Sequence, residues 1–300
     1  MPTRNTVRSC VVRAPAKVNL TLQILGRRSD GFHDLRSLAI GVGLYDELRV
    51  ERGQSGGITI NCSESSLQTP DNLAVRAARR LAAHVAHSTA MRISLEKSIP
   101  PGAGLGGGSS DAAAALRACQ ALLGSNLSRE ELAAIGAEIG SDVPLFFYLP
   151  SAVITGRGEH VAPTPLAWRG WVLLVLPPVA SSTAAVYGAR AESDSHADSP
   201  VAVQEICRCR SADEIAERSF NELEPALFRI APQLGDLFES LALLDIGRPR
   251  VSGSGSAMYM LFDDPQAAAR AASIVQDRIT HVKALVAPAP VGEVPVECLE

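Results

Sequence analysis

A glycine-rich segment at residues 100–111 constrains the fold of this chain more than any other stretch. It reads PPGAGLGGGSSD, with five glycines, and it separates an alternating stretch typical of a strand from an alanine-rich stretch typical of a helix. The glycines let backbone N–H groups converge at the start of that helix, where the helix dipole and unpaired donors attract an anion. The alternative is a flexible linker, but linkers seldom join a strand to a well-formed helix. We therefore predict a phosphate-binding turn.

Two common nucleotide motifs fit this turn poorly. Gly102, Gly104 and Gly107 satisfy the GxGxxG pattern of dinucleotide-binding folds. That pattern belongs in a parallel βαβ unit, whereas the upstream chain reads as antiparallel strands. The turn is not a Walker A loop either, because no lysine precedes Ser109. A bound phosphate must therefore obtain its cation from elsewhere in the chain.

The order of predicted elements favours an α+β fold. The first 60 residues read as strands around a loop, GRRSDGFHD, and a helix is predicted from Asp71 to about His87. A helix from Ser109 to Leu123 follows the glycine-rich turn, and a capping box, Ser128 with Glu131, opens the next one.

The second half of the chain repeats this mixture of strands and helices. It contains an apolar strand, helices, a glycine-serine turn at residues 252–255, and then a strand, a helix and a strand. The polar stretch at residues 191–200 predicts a loop. We place the domain boundary in a proline-rich stretch, which gives domains at residues 1–165 and 166–300.

Composition excludes several classes of function. The net charge is −4 and no basic stripe is visible, which argues against a nucleic-acid partner. No apolar run reaches the roughly 18 residues of a membrane span, and the first residues lack the apolar stretch of a signal peptide. Six cysteines occur without a CxxC pair, which predicts scattered reduced thiols. We expect a cytoplasmic protein that binds small molecules and no membrane.

Three motifs along the chain resemble those of the GHMP kinases. They are PAKVNL near the start, PGAGLGGGSSD in the middle and SGSGSA near the end, in that family's order and spacing. The resemblance implies an α+β, two-domain GHMP kinase fold, with an N-terminal ribosomal protein S5-like domain, a C-terminal α+β (ferredoxin-like) domain, and the substrates in the cleft between them. It also implies ATP and Mg²⁺, and a monomer or a weak homodimer. The further stretches DGFHDL and GSDVP match the branch that phosphorylates a cytidine diphosphate sugar alcohol in the non-mevalonate route to isoprenoids.

The resemblance assigns two catalytic residues. Asp142, in GSDVP, matches the aspartate that accepts the proton of the acceptor hydroxyl; the alternative is a helix N-cap. Lys17, in PAKVNL, matches the lysine beside that hydroxyl, where a compact ammonium lowers the hydroxyl pKa better than a forked guanidinium. Without the motif, the residue pattern around Lys17 predicts a solvated strand residue. Only three of the 28 basic residues are lysines, namely Lys17, Lys97 and Lys283.

The resemblance also assigns the ATP-binding residues. Lys97 and Asn72 match residues that contact the adenosine half, although Lys97 also fits an exposed strand end. The glycine-rich turn is expected to wrap the triphosphate, with a serine hydroxyl helping to place Mg²⁺; no protein ligand of the metal is assigned. The residues of the turn are Pro100, Pro101, Gly102, Ala103, Gly104, Leu105, Gly106, Gly107, Gly108, Ser109 and Ser110.

The cytidine end of the substrate is assigned to an aromatic group of residues. Phe32 and Tyr187 match stacking positions, His33 can read the cytosine edge, and Asn19 and Thr183 match further contacts. Tyr187 also fits a plain core tyrosine, and many family members carry tyrosine where this chain has Phe32. Two other functions stay open: a sibling GHMP kinase acting on homoserine or mevalonate, and a nucleotide-binding module without turnover.

Overall fold

The structure is a computed structural model that describes residues 7–54, 56–86, 90–191 and 203–299. Most of its first half forms one mixed sheet with the strand order β1-β2-β4-β3. Strand β5 continues this sheet from β2, and β6 pairs with β5. The bounds are β1 Ser9–Arg27, β2 His33–Arg52, β3 Ile58–Cys62, β4 Met91–Glu96, β5 Ser151–Gly156 and β6 His160–Pro163.

Three helices cover one face of this sheet: α1 Leu73–His84, α2 Gly107–Leu123 and α3 Arg129–Ile139. Helix α2 buries a run of four alanines, residues 112–115, whose small side chains allow close packing against its neighbours. Helix α3 begins with the predicted capping box, since the Ser128 side chain and Glu131 satisfy each other's backbone N–H groups.

In the second half, the described residues form an antiparallel sheet with the strand order β11-β7-β10-β9. Its strands are β7 Gly170–Leu176, β9 Arg250–Val251, β10 Met258–Phe262 and β11 Lys283–Ala289. The helices of this half are α4 Thr183–Gly188, α5 Val203–Arg208, α6 Ala212–Arg218, α7 Glu224–Ile230, α8 Pro232–Leu243 and α9 Pro265–Arg278. The predicted α+β class is confirmed.

Strand β1 is buried on both faces, which explains why it carries site residues. Ala16, Val18 and Leu20 lie in a core shared with β7 and β10 of the second sheet. Lys17 and Asn19 alternate with them and point to the opposite face, as the two-residue period of a strand requires. A register shift between Asn19 and Thr21 interrupts the pairing with β2 just after these residues.

Two short strands from the second half join the first sheet. Strand β8, Phe220–Asn221, pairs in parallel with β1, and strand β12, Glu297–Leu299, pairs antiparallel with the outer end of β1. The division at residue 165 stays a prediction. Of the loop predicted at residues 191–200, only Ala191 lies within the described residues.

Two cysteines form a disulfide that the sequence did not lead us to expect. Cys10 on β1 and Cys298 on β12 are directly opposite each other and are bonded, so the prediction of reduced thiols is wrong for this pair. Among the described residues, Cys62, Cys119, Cys207 and Cys209 are free. No helix of the described ranges has the length and apolar character needed to cross a membrane.

Candidate active site

A cavity of about 1280 Å³ lies where the two sheets and their connecting loops meet. The ends of β1 and β2 form one wall, and the glycine-rich turn forms another. The turn at residues 141–142, helix α4 and the turn at residues 253–254 complete the lining. Three separate stretches that carry the sequence motifs therefore meet around one cavity.

The glycine-rich turn has the backbone conformation that its composition predicts. Gly102, Gly104 and Gly106 all have φ between 68° and 77°, a region that side chains disfavour. A Cβ atom on Gly104 would lie only 2.1 Å from the carbonyl oxygen of Ser252. The Ser252 hydroxyl donates to the Gly104 carbonyl at 3.0 Å, so the two glycine turns are joined directly.

Helix α2 begins at the end of this turn without a side-chain cap. Its N-cap is Gly106, which has no side chain to accept from the first N–H groups. The first backbone donors of a helix have no partner within the helix, and the dipole adds positive charge there. Every predicted turn residue from Pro100 to Ser109 lines the cavity, but Ser110 does not. The Ser110 hydroxyl is buried and has no hydrogen-bond partner in the described structure.

Lys17 and Asp142 meet at the cavity wall. The ammonium of Lys17 lies 3.9 Å from Oδ2 of Asp142, and the lysine side chain is 5% exposed while the aspartate side chain is 39% exposed. Burial lowers the pKa of Lys17, and the charge of Asp142 opposes this shift. The pair presents a carboxylate to the cavity with a buried cation behind it.

A chain of hydrogen bonds holds the Lys17 ammonium in place. Lys17 Nζ donates to Asn19 Oδ1 at 2.7 Å, and Asn19 Nδ2 donates to the Ser37 hydroxyl at 2.7 Å. That hydroxyl donates in turn to the carbonyl of Thr21. Asn19, predicted as a substrate contact, lines the cavity and in this structure also positions Lys17. Ser37 was not predicted, because nothing in its local pattern marks it.

The residues predicted for the cytidine end also line the cavity. Phe32 is 50% exposed, and the ring centroids of His33 and Tyr187 lie 5.2 Å apart. Burial lowers the pKa of His33, and two nearby arginines lower it further, so a neutral imidazole can both donate and accept. The Thr183 hydroxyl lies 2.9 Å from the Ser254 hydroxyl, which ties helix α4 to the second glycine turn.

Tyr187 lies near Asp142 as well as near His33. Its pKa is raised well above the ordinary value, first by burial and then by the charge of Asp142. Helix α4 thus adds an uncharged phenol to the cavity lining. Phe32, His33, Tyr187 and Asp142 are thus brought to one site although they come from three distant parts of the chain.

Two predicted ATP contacts do not line the cavity. Asn72 is the N-cap of α1: its Oδ1 accepts from the backbone N–H of Ala74 at 2.9 Å. The Lys97 ammonium donates to Oδ2 of Asp111 at 2.7 Å and also contacts the carboxylate of Asp46. Lys97 therefore lies beneath the turn as a buried ion pair, and not at a solvated strand end.

The two carboxylates around Lys97 were not predicted. Oδ1 of Asp46 accepts from the backbone N–H groups of Ser98 and Ile99, so it supports the entry to the glycine-rich turn. Asp111 is the last residue of the motif, and burial raises its pKa to about 7. The acidic residue that ends the motif was the available signal for Asp111, whereas Asp46 is brought here by strand pairing alone.

Comparisons with known proteins identify the family and the fold of the chain. The family described as the GHMP kinases N terminal domain matches residues 72–149, and the GHMP kinases C terminal family matches residues 202–280. A homoserine kinase from Cytophaga hutchinsonii has the same fold, with a TM-score of 0.76 at 18% identity, over 97% of this chain and 98% of that one. The predicted two-domain GHMP kinase fold is thus confirmed.

More similar relatives share one name, 4-diphosphocytidyl-2-C-methyl-D-erythritol kinase. A relative from Streptomyces avermitilis is 37% identical over 289 residues, covering 94% of this chain and 97% of its own. A relative from Brevibacillus brevis is 37% identical over 255 residues, covering 83% of this chain and 86% of its own. A crystal structure of 4-(cytidine 5'-diphospho)-2C-methyl-D-erythritol kinase matches with a TM-score of 0.79 at 34% identity, over 94% of this chain and 100% of that one. The chain therefore belongs to the 4-diphosphocytidyl-2-C-methyl-D-erythritol kinase family within the GHMP kinases, and it is a small-molecule phosphotransferase.

Proposed function

We propose that this enzyme transfers the γ-phosphoryl group of ATP to the 2-hydroxyl of 4-diphosphocytidyl-2-C-methyl-D-erythritol, in the non-mevalonate pathway of isoprenoid biosynthesis. One observation carries the proposal. The pair of Lys17 Nζ and Asp142 Oδ2, 3.9 Å apart, opens on a cavity that has the glycine-rich turn at one side and His33 with Tyr187 at the other. Such a cavity offers a donor site, a proton acceptor and an aromatic base site together.

In this proposal Asp142 is the general base. An oxygen of its exposed carboxylate accepts the proton of the 2-hydroxyl while the oxygen of the substrate hydroxyl bonds to the γ-phosphorus. The bond from this phosphorus to the oxygen that bridges the β- and γ-phosphates breaks, and ADP leaves with its electrons. The nearby ammonium of Lys17 stabilises the ionised carboxylate and the developing alkoxide.

The glycine-rich turn holds the triphosphate in the proposal. The N–H groups at the start of α2 and the positive end of its dipole face the cavity. Phosphoryl transfer requires mainly positioning and charge stabilisation, and backbone donors supply both without a lysine in the loop. The net charge of −4 therefore does not oppose the binding of two anionic nucleotides.

The donor atoms around the turn fit Mg²⁺ bound mainly through ATP. Within the described ranges, no three His, Cys, Asp or Glu side chains are grouped to hold a metal, and kinase Mg²⁺ uses few protein ligands beside the substrate phosphates. Ser109 lines the cavity, and Ser110, next to it, has a buried hydroxyl without a partner. We propose that one of these two hydroxyls helps to place Mg²⁺ beside the phosphates, where the ion would neutralise charge on the transferring oxygens.

Lys97 and Asn72 remain proposed contacts of the adenosine half. Both occupy structural roles, since Asn72 caps α1 and Lys97 joins Asp46 and Asp111. To reach a nucleotide, the Lys97 ammonium would have to leave one of these carboxylates.

A coupled assay of ADP formation over a panel of alcohols tests the proposal. The panel contains the cytidylated methylerythritol, homoserine and mevalonate, each with ATP and Mg²⁺. We expect turnover of the cytidylated alcohol alone, with competitive inhibition by CDP and CMP because they share its base. Turnover of homoserine or mevalonate without inhibition by CDP at millimolar concentration would identify a sibling kinase instead.

A further inference from the structure

We propose that Arg157 binds the diphosphate of the substrate and selects for substrates that carry one. The inference rests on the proposed function, and it concerns the part of the molecule that joins the cytidine to the acceptor alcohol. With the base at the aromatic end and the alcohol at Asp142, the diphosphate must lie between these two places. Its charge requires a cation at that point of the cavity.

Arg157 lies between the catalytic carboxylate and the aromatic end. It belongs to the turn that joins β5 to β6, and a Cβ atom on the next residue, Gly158, would lie 3.2 Å from Oδ1 of Asp142. On the other side, the Arg157 guanidinium lies 5.2 Å from the centroid of the Phe32 ring. The turn that carries Arg157 thus lies beside Asp142, while its guanidinium lies near the aromatic end, on the way that the diphosphate would follow.

The Arg157 guanidinium is available for a ligand. It is half-buried and lines the cavity, and within the described ranges no carboxylate oxygen lies at salt-bridge distance from it. A guanidinium that stacks on a ring uses its flat face and keeps its N–H edges free. Those edges match two phosphate oxygens in parallel hydrogen bonds.

Two other arginines line the cavity but fit this role less well. Arg190 is paired with the buried carboxylate of Glu222 at 3.2 Å, so its charge is already balanced. Arg27 is opposite His33 in the pairing of β1 with β2, which places it beside the base site and not toward Asp142. Arg157 is the cavity arginine whose turn adjoins Asp142 and whose guanidinium lies near Phe32.

Calorimetric titration with CDP and with cytidine tests this inference. The proteins are the wild type, Arg157→Gln, Arg157→Lys and the control Arg13→Gln. Arg13 also stacks on a ring of the first sheet, with its guanidinium 4.1 Å from the Tyr45 centroid, but it lies outside the cavity lining. The control therefore removes the same charge and the same kind of contact elsewhere.

We expect Arg157→Gln to weaken CDP binding by about 10- to 100-fold, the range of a charge-assisted hydrogen bond, and to leave cytidine binding unchanged. Arg157→Lys is expected to recover part of the loss, because it restores the charge without the bidentate edge. In turnover, Arg157→Gln is expected to raise KM for the cytidylated alcohol and not for ATP. The Arg13→Gln control is expected to match the wild type.

Unchanged CDP affinity in Arg157→Gln would overturn the inference. Equal losses for CDP and cytidine would overturn it as well, because they would show that Arg157 acts on the Phe32 ring and not on phosphate. A wild type that neither binds CDP nor phosphorylates the cytidylated alcohol would instead refute the proposed function. The two failures are thus distinguishable in one set of titrations.

Discussion

Lys17 has room for an ammonium and little room for a larger group. A Cβ atom on Gly253 would lie 3.2 Å from its Nζ, and one on Gly106 would lie 3.0 Å from its Cγ. Two glycine turns therefore enclose this side chain, and its one short hydrogen bond, to Asn19, is already made. Glycines suit these points because a side chain at either one would press on Lys17, the lysine proposed for catalysis.

Lys17→Arg is expected to lower kcat by about 100-fold or more, since a misplacement of about 1 Å near the reacting atoms has such an effect. The forked guanidinium is wider than the enclosed space allows. Steady-state kinetics would measure the loss, and Lys283→Arg is the control, because Lys283 is the exposed first residue of β11. Near-normal activity of Lys17→Arg would contradict the role given to the compact ammonium.

Asp142→Asn is expected to lower kcat by about 100- to 10,000-fold, the usual contribution of a general base, and to retain ATP binding. The amide keeps the shape of the carboxylate and loses its ability to accept the proton. Turnover and ATP titration measure the two effects, and Asp277→Asn on the exposed face of α9 is the control. Full activity of Asp142→Asn would remove the assignment of the base.

Among single residues, those within motifs were predictable from the sequence and those placed by packing were not. Lys17, Asp142 and His33 carry local patterns, and the structure brings all three to one cavity. Asp46 and Arg157 carry none, because one is placed by strand pairing and the other by a short turn. Lys97 illustrates the intermediate case, since its motif was visible and its two buried carboxylates were not.

Among the elements, the glycine-rich turn and the second glycine turn act as one unit. Gly104 contacts the backbone of residues 252 and 255 so closely that no side chain fits there, and Ala257 donates its N–H to the carbonyl of Ala103 at 3.0 Å. The shape of the proposed phosphate site thus depends on a segment far away in sequence, since Ser252 and Gly104 are 148 residues apart.

Gly104→Ala is expected to weaken ATP binding and to destabilise the protein by about 1–3 kcal/mol, the usual effect of overpacking. The added methyl group collides with the Ser252 carbonyl at a residue whose φ is 77°. Thermal unfolding and ATP titration measure both effects. Gly292→Ala is the control, because a Cβ atom there has no neighbour within 4 Å; equal behaviour of the two variants would contradict the proposed close approach.

Long elements were predictable and very short ones were not. The alanine-rich composition of α2 and the capping box of α3 identify both helices. Helix α1 begins at Leu73 and not at Asp71, because Asn72 caps it. Strand β8 has two residues and β12 has three, too few to show a period. Such strands exist because β1 supplies their hydrogen bonds, which only the folded chain reveals.

For the whole molecule, the disulfide between Cys10 and Cys298 joins the two ends of the chain. The two residues are 288 positions apart, so no spacing rule could pair them. Disulfides are rare in cytosolic proteins; the cytoplasmic location therefore stays a prediction, as does the monomer or weak homodimer. The bond holds the three-residue strand β12 against β1, where few hydrogen bonds would otherwise keep it.

Cys298→Ser is expected to destabilise the protein by about 2–5 kcal/mol, the usual range for loss of a native disulfide. A reducing agent is expected to lower the Tm of the wild type and to leave the Tm of Cys298→Ser unchanged. Cys207→Ser, which removes a free thiol, is the control and is expected to keep the response to reductant. A wild-type Tm that does not respond to reductant would contradict the disulfide.

In the proposed reaction, the phosphoryl group is transferred to one particular hydroxyl of the substrate. In 2-C-methylerythritol the 2-hydroxyl is on a carbon that carries a methyl group and no hydrogen, whereas the other free hydroxyls are on carbons that carry hydrogen. The ³¹P NMR spectrum of the product distinguishes these positions directly. The account predicts one new phosphomonoester signal without a three-bond coupling to any proton; a signal split by such a coupling, or no new phosphomonoester at all, would contradict it.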